Sequence, residues 1–532
     1  MKNKEWRWVA LVALALMIVS SLPYLVAWAA TPEGARFTGL LVNPLDGHSY
    51  IAKMRQGLDG SWRFRLAFTP ESQDGAYLFL LHLALGHLAR WTGSRLIWVY
   101  HGARVLAGVG LLVTAYRFIL FLGGDWAQRR LALLLLTISS GLGWLAAPLG
   151  YMSADLWVPE AFVFYSIMDT LHFPLAITLM LVVLMALAHP DQRPDWRRGL
   201  VASGASVGLS VVQPFGVIPV YAALTVWLAL RWLRDRQVEL RRIGWTTAAG
   251  LTGVVYPLYG LLAIQADSAL ATWSLQNQTP SPPLWDWLLS FGLLTALAAP
   301  GAVLTARCRS DGDLLALAWL IAAGVGMYAP LALQRRLALG LQVPLALLAA
   351  VGWQQVIRPR LQVRLRKPLI TALAALSALT NLFLMTMFIL GALAGEPRFY
   401  LSEGEWQALV WLREKVSHDQ VVLCAPQTGM FVPAWAGQRV VYGHPFETVD
   451  AKRREAQVEA YWSGKMDTAE QESFLQKNGV KYVLVGPREL DIGRWTPDIG
   501  RWTSDIGRWT SDIGHWKRVF EAGDVKVYEV TR

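Results

Sequence analysis

Asp46 is the residue of this sequence best placed to do chemistry, because it follows a long apolar run, residues 8–30. A short leader with Lys2, Lys4 and Arg7 precedes that run, and basic residues beside a membrane span hold that end inside. Asp46 is therefore expected just beyond the first span, on the outer side. A carboxylate there can take a proton from a hydroxyl group. The alternative is an ordinary loop aspartate, because Pro-x-Asp-Gly also favours a turn.

Other polar side chains are expected at the same outer face. His48 and Tyr50 follow Asp46 in the first loop. The loop 149–170 contains acidic residues without any basic residue, and His172 follows it. Acidic residues in an outer loop can also reflect only the charge pattern of membrane topology, without any role in chemistry. The candidate catalytic residues are Asp46, Asp155 and Glu160, and His48, Tyr50 and His172 are candidate substrate-binding residues.

Arg335 and Arg336 depart from the charge pattern of the other loops. They lie between two predicted spans at an outer end, where the other short loops lack lysine and arginine. Arginine presents a planar fork of donors that matches phosphate oxygens. The pair is a candidate clamp for a phosphate or pyrophosphate leaving group. The alternative is that both side chains extend to outer lipid headgroups.

The loop 273–283 is polar and rich in proline, and it is also predicted outside. It could line a substrate groove, with Gln276 and Asn277 as candidate substrate-binding residues, or be a rigid connector. The sequence contains no Gly-rich nucleotide loop and no His-x-x-x-His zinc pattern. Its two cysteines, Cys308 and Cys424, are predicted on opposite sides of the membrane and have no metal-binding spacing. No cofactor is indicated, and a divalent metal remains possible.

Composition assigns the chain to the integral membrane proteins. Of its 532 residues, 54% are hydrophobic and 16% are charged, and apolar runs near 20 residues recur along it. About 20 helical residues cross ~30 Å of hydrocarbon, and the backbone must be hydrogen-bonded internally there. The net charge of +11 comes largely from arginines in short loops. That pattern indicates membrane topology and contact with anionic lipid, and argues against nucleic-acid binding.

The alternation of basic and uncharged loops predicts an α-helical polytopic domain over residues 1–393, with about eleven spans. The N-terminus is expected in the cytoplasm and the C-terminus outside. Residues 48–58 and 76–91 are expected to form helices on the outer membrane surface, within a first outer loop 31–95. The predicted spans are 8–30, 97–122, 130–148, 171–189, 199–213, 215–233, 243–264, 288–306, 313–333, 337–356 and 368–393.

Residues 394–532 have the composition of a small extracytoplasmic α/β domain. Ser402 and Glu405 have the spacing of a capping box, which predicts a helix to about residue 416. Within this segment a seven-residue repeat, Asp-Ile-Gly-Arg-Trp-Thr-Ser with variations, covers residues 491–516. Each copy carries a glycine and lacks the apolar residues that a coiled coil needs at two heptad positions, so we interpret the repeat as a surface loop. Its tryptophans could also bind carbohydrate. Strands are predicted at 421–423, 439–442 and 480–485, helices at 449–463 and 468–478, and a final hairpin at 517–521 with 525–530.

This arrangement resembles the GT-C class of integral membrane glycosyltransferases, which includes the protein O-mannosyltransferases and the aminoarabinose transferase of lipid A. The resemblance rests on Asp46 in the first loop, surface helices before the second span, about eleven spans and an outer C-terminal domain. Local motifs also resemble a bacterial branch of that class: 140–144, 171–174, 273–283, 334–336, 437–439 and 443–444.

The resemblance implies a transfer reaction at the outer face of the plasma or inner membrane. Asp46 would be the general base for an acceptor hydroxyl on a lipid, glycan or protein. Arg335 and Arg336 would hold the phosphate of a polyprenyl-phosphate sugar, and transfer would invert the anomeric centre. Many such enzymes carry paired acids in the first loop, whereas Asp46 stands alone. Asp155 or Glu160 could supply the second acid, or the base could work unaided.

Two other functions are compatible with the sequence: a lipid or sugar transporter or flippase, and a homologue or assembly protein without activity. A transporter typically has ionisable residues within its spans. Here the middle of each predicted span is mostly uncharged, with Arg104 as the exception. The candidate residues instead cluster at one face, which favours an interfacial enzyme. The sugar, the acceptor, the length of the lipid chain, the metal dependence and the oligomeric state are not specified by the sequence.

The predicted topology can be tested with reporter fusions at residues 60, 126 and 400. We expect outside signals at residues 60 and 400 and an inside signal at residue 126, because basic loops stay in the cytoplasm. An outside signal at residue 126 would contradict the whole arrangement of spans.

Overall fold

Long apolar helices form most of the structure, a computed structural model that describes residues 2–189, 195–308, 311–494 and 516–531. The chain divides into two compact units. The membrane unit comprises Met1–Pro23, His101–Tyr259 and Gln278–Leu390, and the second unit, here the sheet-containing unit, comprises Tyr24–Tyr100, Gly260–Asn277 and Gly391–Arg532. Most of the heptapeptide repeat, including Trp495, Trp502 and Trp509, lies outside the described residues.

The apolar helices recur along the chain, and the longest segment between two of them is residues 30–95. Their bounds are Lys2–Ala29, Leu96–Leu122, Trp126–Ile138, His172–Leu187, Trp196–Val212, Val217–Asp235, Leu240–Ala266, Leu284–Cys308, Asp311–Gly326, Gln342–Val351, Val363–Ser377 and Leu379–Leu393. Short helical segments lie between them at Gly143–Ala146, Ala147–Leu149, Ala154–Leu156, Pro159–Ala161, Val163–Asp169, Pro214–Gly216, Gln334–Ala338, Gly352–Ile357 and Arg358–Arg360.

Fewer helices are long enough to cross a membrane than the eleven spans predicted from the sequence. Within the described residues, eight helical segments are long and apolar enough to cross a membrane, and His172–Leu187 and Gly312–Gly326 are shorter apolar helices. Each of the eleven predicted spans coincides with helical structure. The polytopic α-helical fold is therefore confirmed, whereas the count of eleven spans and the membrane boundary at residue 393 stay predictions.

Two predicted helices end earlier than their hydrophobic pattern indicates. The predicted span 130–148 breaks after Ile138, where the Ser140 N–H donates to the Ser377 carbonyl at 2.6 Å. A Cβ on Gly141 would overlap the Ser290 carbonyl oxygen, so the chains approach closely at this break. Tertiary backbone hydrogen bonds thus replace helical ones, which hydrophobic periodicity does not reveal. The predicted helix 313–333 ends at Gly326, and the segment that follows it leads to the arginine pair.

The sheet-containing unit combines short helices with a small mixed sheet. The five-stranded sheet has the order Arg439–Val440, Val421–Leu423, Val480–Val485, Val525–Val530, Trp516–Ala522; its first three strands are parallel and the last two antiparallel. A second pair joins Ala35–Phe37 to Tyr400–Ser402. The helical segments are Pro44–Leu58, Leu80–Thr92, Ser268–Gln276, Glu403–Lys415, Pro426–Gly429, Val432–Ala436, Ala451–Trp462, Thr468–Lys477 and Pro487–Arg494.

The local predictions for the C-terminal segment are confirmed. Ser402 Oγ accepts from the Glu405 N–H at 3.2 Å, and the Glu405 carboxylate accepts from the Ser402 N–H at 2.7 Å, which completes the capping box. The predicted strands, helices and final hairpin are present within a few residues of their expected bounds. The two-stranded pair was not predicted, because three-residue strands carry too little alternation to be recognised.

The helices Pro44–Leu58 and Leu80–Thr92, here the first-loop helix and the companion helix, pack backbone against backbone. A Cβ on Gly57 would overlap the Leu83 carbonyl oxygen, and a Cβ on Gly86 would overlap the Met54 carbonyl oxygen. Both glycines are buried. Close helix contact at these two positions therefore requires glycine.

Gly86→Ala should lower the stability of the full chain in detergent, because overpacking of a tight contact typically costs ~1–3 kcal/mol. Gly102→Ala is the matched control, since a Cβ on this helical glycine meets nothing within 4 Å. The stability of the Gly102→Ala variant should be unchanged or slightly higher, because alanine favours a helix more than glycine does. The measurement is the apparent melting temperature of both variants. Equal melting temperatures would show that the contact can relax at no cost.

Candidate active site

Asp46 lies in the first turn of the first-loop helix. Asn43, just before this helix, has a left-handed backbone with φ 46°, a conformation that Asn tolerates better than most residues. Asn43 Nδ2 donates a 2.6 Å hydrogen bond to Asp46 Oδ2. The Asp46 side chain is nevertheless 39% exposed. A carboxylate that is held in place yet reachable is suited to accept a proton from a bound group.

His444 is a titratable partner of Asp46. It is not among the site residues predicted from the sequence. Its Nε2 lies 3.3 Å from Asp46 Oδ1. Its Nδ1 accepts a 3.1 Å hydrogen bond from the Phe446 N–H, and its ring contacts Phe68. His444 belongs to residues 443–450, here called the anchor loop, which follow the strand Arg439–Val440. The only sequence signal for it was the Gly-His pair within one local motif.

The anchor loop is fastened to the first-loop helix by a buried ion pair. Lys53 Nζ lies 2.6 Å from Glu447 Oε1, and the Lys53 side chain is only 2% exposed. Ser49 Oγ donates to the same carboxylate. Phe64 and Phe79 present their ring faces to the ammonium group. Burial alone would raise the pKa of Glu447, but the Lys53 charge and these hydrogen bonds outweigh it and lower that pKa below its usual value.

Gln276 and Asn277, two predicted substrate-binding residues, contact the anchor loop through its backbone. Gln276 Nε2 donates to the Thr448 carbonyl at 2.6 Å. Asn277 Nδ2 donates to the Phe446 and Trp273 carbonyls, at 2.7 Å each. Their amide donors thus satisfy backbone oxygens of a loop, and a substrate-binding role for either residue stays a prediction.

His48 is buried in the first-loop helix, and Tyr50, two residues further along it, is partly buried. His48 Nδ1 lies 2.6 Å from the Pro44 carbonyl oxygen, and its ring packs edge-on against Phe431. Burial lowers the pKa of His48 to about 3, so the ring is neutral at physiological pH. Tyr50 stacks on His82, with ring centroids 4.9 Å apart. Substrate binding by these two residues also stays a prediction.

In the membrane unit, the segment after Gly326 is held by the loop that begins at residue 278. Gln334 Oε1 accepts from the Ser281 N–H at 3.2 Å, and its Nε2 donates to the Ala329 carbonyl at 2.8 Å. The Arg335 N–H donates to the Thr279 carbonyl at 3.0 Å. The backbone on which the arginine pair is mounted is therefore well fixed.

Glu160 is the shared counter-ion of the arginine pair. Its Oε1 lies 3.2 Å from Arg335 Nε and 3.3 Å from Arg336 Nη1, and its side chain is 1% exposed. The Arg335 guanidinium lies 4.8 Å from the Trp157 ring centroid, and that of Arg336 lies 5.6 Å from the Phe215 ring centroid. One buried carboxylate thus faces two cations, so the three groups together carry one net positive charge.

Asp155, the third candidate acid, caps the break after Ile138. Its Oδ2 accepts from the backbone N–H groups of Gly141 and Gly143, at 3.0 and 3.1 Å. Its Oδ1 accepts from Ser153 Oγ at 2.6 Å. Burial raises the pKa of Asp155, and these hydrogen bonds oppose that effect. Because its oxygens already accept these bonds, Asp155 organises the loop backbone in this arrangement.

His172 opens a membrane helix and contacts its own loop. Its Nδ1 lies 2.8 Å from Thr170 Oγ1, and its side chain is buried together with that of Asp169. Among the residues that the structure describes, no three His, Cys, Asp or Glu side chains are grouped closely enough to hold a metal ion. No ligand set is therefore assigned to a divalent ion.

Known structures share this fold. The chain is 13% identical to ArnT from Cupriavidus metallidurans bound to undecaprenyl phosphate; the alignment covers 99% of this chain and 98% of that one, with a TM-score of 0.55. It is also 13% identical to the oligosaccharyltransferase AglB from Archaeoglobus fulgidus in complex with an inhibitory peptide and a dolichol-phosphate, over 89% and 69% of the chains, with a TM-score of 0.50. No protein-family model and no curated protein sequence matches the chain. The chain therefore has the fold of the GT-C glycosyltransferases.

Proposed function

We propose that this protein is a membrane glycosyltransferase that moves a sugar from a polyprenyl-phosphate donor to an acceptor hydroxyl, with inversion at the anomeric carbon. The observation that carries this proposal is Asp46, a half-exposed carboxylate oriented by Asn43 within a GT-C fold. ArnT and AglB, which share the fold, were each solved with a polyprenyl-type phosphate. The predicted topology puts the reaction at the outer face of the membrane, with the C-terminal segment also outside.

In the proposed reaction Asp46 takes the proton of the acceptor hydroxyl. The acceptor oxygen forms a bond to the anomeric carbon while the bond from that carbon to the phosphate oxygen breaks. The phosphate stays on the lipid and carries the electron pair of the broken bond. The product is a glycoside with inverted configuration, because one displacement occurs at one carbon. A positioned base and a charge-stabilised leaving group are sufficient for this chemistry.

Asp46 is the strongest candidate for the base because the other two acids are engaged. Asp155 is almost fully buried and accepts three hydrogen bonds, from the Gly141 and Gly143 N–H groups and from Ser153 Oγ. Glu160 is buried, and its Oε1 already pairs with Arg335 and Arg336. We assign supporting roles to Asp155 and Glu160.

Arg335 and Arg336 are proposed to hold the donor phosphate. Guanidinium groups bind phosphate oxygens in bidentate geometry, and Arg335, Arg336 and Glu160 together carry one net positive charge, which favours an anionic ligand. Contact with Trp157 and Phe215 limits the freedom of both side chains before the donor arrives. Less order is then lost when the phosphate binds.

A transporter is the weaker alternative, because buried cations in the membrane unit have structural partners. Arg104 Nη1 donates to the Ile167 carbonyl at 2.8 Å, at the end of the helix Val163–Asp169. Arg242 Nη1 donates to the Leu187 carbonyl at 2.6 Å, at the end of another helix. Cations at helix C-termini satisfy the last carbonyl groups and the helix dipole. Neither arginine needs an ion pathway to explain its position.

Asp46→Asn should lower turnover of a labelled polyprenyl-phosphate sugar by ~10²–10⁴-fold, because the amide keeps the shape but cannot accept the proton. Asp59→Asn is the matched control. Asp59 is the C-cap residue of the same helix and pairs with His418. The Asp59→Asn variant should retain activity. Full activity of purified Asp46→Asn would remove Asp46 as the base. If the wild type used no donor from a broad panel, the transporter or the inactive homologue would become the better interpretation.

Arg335→Ala and Arg336→Ala should each reduce donor use by on the order of 10²-fold, because each removes a charged donor from the leaving phosphate. We expect the loss to appear in kcat/KM for the donor and to leave KM for the acceptor unchanged. Arg398→Ala, which changes an exposed arginine paired with Glu396, is the control. Equal losses for donor and acceptor would argue against a phosphate clamp and for general misfolding of the site.

A further inference from the structure

The anchor loop presents one imidazole nitrogen to the carboxylate that we propose as the base. His444 Nε2 is 3.3 Å from Asp46 Oδ1, and Asn43 Nδ2 is 2.6 Å from Asp46 Oδ2. His444 itself is only 1% exposed, whereas Asp46 is 39% exposed. Each carboxylate oxygen therefore has a different nitrogen next to it, and the open side of Asp46 faces solvent.

The hydrogen bond at the other ring nitrogen identifies the tautomer of His444. The Phe446 N–H can only donate, so His444 Nδ1 must be the unprotonated, accepting nitrogen. The neutral ring then carries its proton on Nε2, the atom that faces Asp46. In this state His444 can donate to Asp46 but has no vacant nitrogen with which to accept a proton from it. The imidazole is arranged to orient a carboxylate and not to relay a proton.

The position of His444 is fixed by several independent contacts of the anchor loop. Thr448 Oγ1 donates to the Phe68 carbonyl at 2.7 Å and accepts from the His444 N–H at 3.3 Å. The Lys53–Glu447 ion pair fastens the next residues to the first-loop helix. A loop with this many buried polar contacts keeps its side chains in one geometry.

We infer, on the basis of the proposed transfer reaction, that His444 is a positioning residue that orients Asp46 and keeps it ionised. The C-terminal segment thereby supplies a required part of the catalytic site through the anchor loop. The 3.3 Å contact is longer than a strong hydrogen bond to a carboxylate, and its direction is not that of a well-formed one. Contacts of this kind commonly shorten when substrate binds, so we expect the acceptor hydroxyl to complete the arrangement.

Two variants of His444 separate positioning from packing. His444→Gln retains an N–H donor, whereas His444→Phe retains the ring that packs on Phe68 and loses the donor. The first readout is the pH at which Asp46 is half protonated. It is measured by carbodiimide labelling of the full chain at a series of pH values and mass spectrometry. His444→Phe should raise this midpoint by about one pH unit, because the variant loses an N–H donor that favours the charged carboxylate. His444→Gln should shift it much less. Glu447 lies near His444 and pairs with Lys53, and both variants leave these two charged groups in place.

The second readout is turnover of the labelled donor. His444→Phe should lower kcat at least tenfold, and His444→Gln should recover most of that loss. His418→Phe is the matched control, since His418 pairs with Asp59 at 3.1 Å at the far end of the first-loop helix. Equal losses in both His444 variants, with the Asp46 midpoint unmoved, would overturn the inference and leave His444 with a packing role. A wild type without transferase activity but with the expected midpoint shift would contradict the proposed function and leave the His444–Asp46 pairing standing.

Discussion

The buried ion pair between Lys53 and Glu447 is the interaction on which the arrangement around Asp46 depends. Removing two charges from water is costly, and the cost is recovered only when the geometry is good and other polar groups are satisfied. Here the ammonium also meets two aromatic faces, and Ser49 joins the carboxylate. Loss of one partner of such a pair typically costs ~3–5 kcal/mol, because the other charge stays buried. The pair therefore restricts the position of the anchor loop relative to the first-loop helix.

Each of the two units contains a carboxylate with cationic or polar partners, and their surroundings direct them to different tasks. Glu160 is buried and shared by two arginines, so it preorganises cations. Asp46 is partly exposed and touched by weaker donors, so it stays available to an incoming hydroxyl. Exposure and partner strength thus separate a structural acid from a candidate base more clearly than residue type does.

The break after Ile138 shows how an apolar bundle can hold polar loops. Asp155 accepts the N–H groups of Gly141, within the break, and of Gly143, at the start of the next short helix, where the first N–H groups have no helical acceptor. Gln342 serves the same purpose, since its Oε1 accepts from the Val163 N–H at 2.6 Å and its Nε2 donates to the Ser139 carbonyl at 2.5 Å. Non-helical backbone near a membrane is tolerated when protein groups satisfy it. This requirement gives several polar residues of the membrane unit a structural role.

The sequence by itself determined the elements that depend on neighbours along the chain. The apolar helices follow from runs of hydrophobic residues, the capping box at Ser402 from a three-residue spacing, and the short strands from apolar runs near turns. It also singled out Asp46 and the arginine pair from charge pattern alone. Only the tertiary structure decided that His444 faces Asp46, that Glu447 pairs with Lys53 and that Glu160 holds both arginines. Lys53 and Glu447 are 394 positions apart, and no local periodicity encodes a contact at such a distance. Propensity acts over one or two turns of chain, whereas the partner of a buried charge is chosen by the packing of the whole unit.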